Sequence, residues 1–132
     1  MPVVWTWQDT EKRIIHFVFR DPWASDEFLA ANDDANDAAR GSNHKVDAIF
    51  DLTHVHSLPR NIITGTIDLV RHSDTQPHQG SAVIVGKHPG LKILMKVITQ
   101  LATKDIVFHA EDLQGALAIV ADLQARRTAD TE

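Results

Sequence analysis

Trp5 and Trp7 alternate with Thr6 and Gln8, and Ile15, Phe17 and Phe19 repeat the same spacing a few residues later. A period of two is that of a strand with one buried face, and the short polar link Asp9-Thr10-Glu11-Lys12 predicts that the two runs pair as an antiparallel hairpin. Asp21-Pro22 ends the second strand, because proline has no amide hydrogen to give to a ladder. A helix is expected from Ala24 to Arg40, with Ser25 as its N-cap, Asp26 and Glu27 in the first turn, and Gly41 in a left-handed position at its end. Its apolar stripe is thin, Phe28 and Leu29 followed mainly by alanines among Asn and Asp, so packing must hold it.

Beyond that helix the periodicity changes. Val46, Ala48, Ile49, Phe50 and Leu52 form a near-continuous apolar run, as does Ser81 to Gly86, and both read as strands covered on two faces. Between them Ile62, Ile63, Thr66, Ile67 and Val70 recur at helical spacing within Pro59 to His72. A third helix is expected over Leu91 to Thr103, a last strand at Ile106 to Phe108, and a closing helix over Glu111 to Arg127. The order ββαβαβαβα predicts an α/β fold: a mostly parallel five-stranded sheet with an N-terminal antiparallel hairpin and right-handed crossovers. A single domain over residues 1–127 is expected, with a disordered tail at 128–132.

The order of elements, the Trp-containing hairpin, the strand ending Asp51-Leu52-Thr53-His54-Val55 and the helix start Asp112-Leu113-Gln114-Gly115-Ala116-Leu117 resemble the STAS domain of sulfate transporters and anti-sigma-factor antagonists. The likeness covers roughly residues 3–125 and rests on pattern. It implies a compact, non-catalytic domain that meets a partner or ligand near the helix after the central strand. Signalling members of that family carry a phosphorylated serine in an Asp-Ser-Ser-Gly turn there. The corresponding stretch here is Ser57-Leu58-Pro59-Arg60-Asn61-Ile62, with Arg60 and Asn61 near the acceptor's place, so a kinase-controlled switch does not carry over; Ser57 is a displaced candidate. Arg60 and Asn61 are then the residues expected to face a partner.

Composition narrows the rest. A formal net charge of −5 with interspersed signs supplies no basic stripe for nucleic acid, and no window is apolar enough to span a bilayer. The opening Met-Pro-Val-Val-Trp-Thr-Trp lacks the pattern of an export signal, and with no cysteine there is neither disulfide nor thiolate, so a cytoplasmic location is expected.

In an open parallel sheet, ligands sit beyond the carboxyl ends of the strands. The residues there include Asp21, Asp51, His54, His56, Lys87, His88, His109 and Asp112. His54-Val55-His56 places two imidazoles on the same side of an extended segment, where they would share a metal with His88 or Asp51 completing the set. Eight histidines will, however, produce such a pair by chance. Gly86-Lys87-His88-Pro89-Gly90 joins a strand to a helix and would offer amides and the Lys87 cation to an anion, although it is no P-loop and a tight turn explains its glycines as well. No Gly-x-Ser-x-Gly elbow is present, nothing marks a cofactor, and catalysis is not expected.

The third helix is apolar over about 200° of its circumference, twice the stripe that faces a core, leaving Lys92, Lys96, Thr99, Gln100 and Thr103 for water. Ile93, Leu94 and Val97 are the residues expected to touch something more: a second subunit, a lipid or small hydrophobic ligand, or the neighbouring helix at Ile62–Val70. A regulatory or binding domain working as a homodimer is the favoured expectation, with a metal-dependent binder or small enzyme built on His54, His56 and His88 as the alternative.

Overall fold

The computed structural model describes residues 2–42, 44–59, 62, 64–65, 79–101 and 107–131. Strands β1 (Val3–Trp7) and β2 (Ile14–Arg20) are followed by helix α1 (Ser25–Ala39), strands β3 (Val46–His54) and β4 (Gln79–Val85), helix α2 (Gly90–Leu101), strand β5 (Val107–Ala110) and helix α3 (Leu113–Thr131). The helix expected at Pro59 to His72 lies largely outside the described residues; Ile62, Thr64 and Gly65 are helical. The five strands form one sheet in the order β1-β2-β3-β4-β5. The hairpin is antiparallel and the other neighbours are parallel, as the spacing predicts.

The hairpin turn is held by Asp9, whose Oδ1 accepts the amides of Arg13 at 3.0 Å and Ile14 at 3.1 Å. Alternation then sorts the sheet. Trp5 pairs with Phe17 and Trp7 with Ile15, and Phe17 in turn pairs with Phe50 on β3. These residues share one face with Phe19, Leu52 and Ile84, and that face receives Phe28, Ala35 and Ala39 of α1 and Leu91, Leu94 and Ile98 of α2. Rings fill the centre: Phe17 stacks on Phe50 at 5.0 Å, and Phe28 meets Phe19 at 5.3 Å and Phe50 at 5.4 Å. Trp23 is buried edge-on to Phe19 at 4.8 Å, as a residue that fastens the start of α1 should be, although its indole N–H has no acceptor.

The opposite face carries Ile49, Val83, Val85 and Ala110, covered by Ala116 and Val120 of α3. A chain that steps one strand at a time in a single direction with crossovers of one hand must lay them all on one face. The closing helix α3, which does not connect two of these strands, takes the other face.

Three expectations about chain ends are corrected. The N-cap of α1 is Ala24 and not Ser25, which is buried; the Glu27 carboxylate accepts the Ala24 amide at 3.1 Å and takes over the capping. Gly41 is not left-handed, since α1 ends on Arg40 in the ordinary right-handed region and Gly86 is the glycine with positive φ among the described residues. The closing helix runs past its expected end at Arg127, to Thr131. At the other end of that helix Asp112 Oδ1 accepts the Gly115 amide at 2.7 Å, a side-chain cap.

Candidate functional site

Among the described residues, the strand ends do not gather into one centre. β3 continues to His54, so Asp51 lies within the strand and not in the loop after it. His54 and His56 are both exposed, His54 as the last residue of β3 and His56 beyond it, on either side of buried Val55. The His56 backbone amide donates to the Asp21 side-chain Oδ2 at 2.6 Å, tying the ends of β2 and β3 together without using the His56 imidazole. His88 Nδ1 accepts the Gly90 amide at 2.9 Å and so caps α2, and His109 Nε2 donates to the Gly86 carbonyl at 2.9 Å across β4 and β5. Among the described residues, no three His, Asp or Glu side chains come together in a way that would hold a metal ion. Arg60 and Asn61 lie outside the described residues.

Gly86 explains the tight turn after β4. Its φ of +153° is costly for any residue with a side chain, and a Cβ there would come within 2.9 Å of Leu91 Cδ1. Lys87 follows, exposed, ahead of the first turn of α2.

Sequence reasoning missed the polar cluster that the sheet does assemble. His16 Nε2 lies 2.9 Å from Asp51 Oδ2, with side chains 13% and 9% exposed. A carboxylate only accepts, so Nε2 carries the proton and donates it. Asp51 Oδ1 accepts the Thr53 amide at 3.0 Å and also the Thr53 hydroxyl. The imidazole is thereby fixed by an orienting carboxylate, but no side-chain nucleophile bonds to it among the described residues. The available signal was parity: His16 and Asp51 both occupy the strand positions opposite the aromatic face. Only the parallel register of β2 on β3 makes them neighbours.

A second buried carboxylate lies further down β3. Asp47 is fully buried and accepts from the Ser81 amide at 2.7 Å, Gln124 Nε2 at 3.0 Å and Arg127 at 2.6 Å. Its place requires Gly80, where any Cβ would collide with the carboxylate. This cluster is structural, since it fastens α3 to the sheet with its donors already engaged.

The third expected locus, α2, divides cleanly. Leu91, Leu94 and Ile98 are buried, Met95 and Val97 are half-buried, and Ile93 is 61% exposed, beside exposed Lys92 and Lys96. Leu94 is therefore a core residue and not a contact for a partner, because it points at the sheet along with Leu91 and Ile98. Beside α3, a shallow open depression of about 600 Å³ is lined by Phe108, Ala118, Ile119, Asp122, Leu123 and Arg126, its polar groups joined in the Asp122–Arg126 ion pair. No described helix is long and apolar enough to cross a membrane.

Comparison of the chain with family models, curated proteins and solved structures returns no match.

Proposed function

We propose that this chain is a non-catalytic regulatory or binding domain of STAS-like kind that works through protein contact, with a second copy of itself as partner and the outer face of α2 as contact. The observation that carries it is Ile93, a large hydrophobic side chain that is 61% exposed. A lone exposed apolar residue is ordinary. Ile93 is followed one helical turn later by half-buried Val97 and is flanked by Lys92 and Lys96, so an apolar strip with a charged border continues outward from the core. The opening antiparallel hairpin and the sequential parallel strands support the STAS-like part. Lys87 extends the same border toward the N-terminus of α2, where it suits an anionic group on a partner or small ligand.

Sedimentation of the wild-type chain and of Ile93→Glu tests it. A dimer that becomes a folded monomer on substitution is the expected result. A wild-type chain that stays monomeric throughout the micromolar range overturns the proposal.

A further inference from the structure

The charges of α1 and α2, which both pack on the aromatic face, are segregated by sign. α1 holds Asp26, Glu27, Asp33, Asp34 and Asp37 and no basic residue, whereas α2 holds Lys92 and Lys96 and no acidic one. Asp26, Leu29, Ala30, Asp33 and Asp37 are exposed and follow one another at helical spacing, with Leu29 37% exposed. Lys92, Ile93 and Lys96 form the corresponding exposed strip on α2. Each strip thus carries like charge around an exposed aliphatic residue, and the signs are opposite.

Within one copy these strips do not meet. α1 packs over β1 and α2 over β5, at opposite edges of the sheet. Among the described residues, no ion pair engages Lys87, Lys92 or Lys96. Lys92 stands in the first turn of α2 and Asp37 in the last turn of α1, the ends at which the helix dipole disfavours those signs. Asp37 already pairs with Arg40 at 3.1 Å in its own chain, so it is Lys92 that an opposing surface of opposite charge relieves.

We propose that the second copy docks reciprocally: the Lys92–Ile93–Lys96 strip of α2 packs on the Asp26–Leu29–Asp33–Asp37 strip of the other copy's α1, and a twofold axis makes the same contact twice. Because the two strips lie on one face at opposite edges, the reciprocal contact closes a dimer and leaves no free strip to propagate a filament. Charge complementarity sets the orientation, and Ile93 and Leu29 supply the apolar contact. The pairing rests on the self-association reading above and adds the identity of the opposing surface.

Two charge-reversed chains decide it. Lys92→Glu/Lys96→Glu makes both strips acidic, and Asp33→Lys/Asp37→Lys makes both basic. All four positions are exposed, and each reversal suits or leaves neutral its own helix dipole, so both chains should keep the wild-type circular dichroism. Each alone is expected to be monomeric. Their equimolar mixture is expected to form a heterodimer, identified by mass under native conditions, because only the mixed pair has acid against base at both contacts. The wild-type dimer should weaken by about tenfold between about 0.05 M and 0.5 M salt. If the wild type is a monomer, both this pairing and the self-association reading fail. If the wild type is a dimer that Ile93→Glu dissociates, yet the mixture forms no heterodimer or either reversed chain dimerises by itself, α2 remains the contact and the pairing with α1 is overturned.

Discussion

Arg127 on α3 reaches Asp47 on β3 across 80 positions of sequence, at 2.6 Å, and the carboxylate it meets is completely buried. A buried carboxylate needs its donors, since leaving one unpaired costs its desolvation. Arg127 is about a third exposed, and Asp47 keeps Ser81 and Gln124 when the arginine is removed. Arg127→Ala is therefore expected to destabilise the chain by about 1–3 kcal/mol in urea unfolding. A change below about 0.5 kcal/mol would show that the clamp contributes little.

The partition of α2 makes two neighbouring substitutions differ sharply. Leu94 is 4% exposed inside the core and Ile93 is 61% exposed. Leu94→Ala should cost about 2–5 kcal/mol, the usual range for a buried leucine, and Ile93→Ala less than about 0.5 kcal/mol at concentrations where the chain is monomeric. Equal losses in chemical unfolding would contradict the orientation of the helix.

At Gly86, backbone and packing object to a side chain together. Its φ of +153° and the 2.9 Å approach to Leu91 Cδ1 predict that Gly86→Ala lowers the unfolding free energy by about 1–3 kcal/mol. An unchanged thermal midpoint would mean that the turn after β4 rearranges freely.

The His16–Asp51 contact fixes a tautomer that can be observed. Nitrogen chemical shifts of the imidazole should report a proton on Nε2, and Asp51→Asn should alter that signature while His54 and His56, both exposed, keep theirs. A double-mutant cycle on His16 and Asp51 should give a coupling of about 0.5–2 kcal/mol. Zero coupling would reduce the pair to proximity.

Much of the fold was legible because each strand and helix announces itself locally. Alternation at Trp5, Trp7, Ile15, Phe17 and Phe19 predicts the hairpin, and the near-continuous apolar runs at Val46 to Leu52 and Ser81 to Gly86 predict strands buried on both faces, which two separate clusters confirm. The candidate site was not legible in the same way. Asp51 was grouped with the residues beyond the strand ends because the hydrophobic run stops at Leu52, whereas the ladder continues to His54 and leaves Asp51 inside it. Ser25 looked like a cap by residue type, but the backbone turns one residue earlier and hands the role to Glu27.

By itself, the sequence determined which residues alternate, where apolar runs begin and stop, and hence the kinds of element and their order, because those follow from periods of two and of about 3.6 within a few residues. Only the tertiary structure decided that His16 meets Asp51, that Arg127 meets Asp47, and that Ile93 faces out while Leu94 faces in. Those outcomes depend on strand register and on which face each helix takes, and both are set by contacts between residues far apart in the chain.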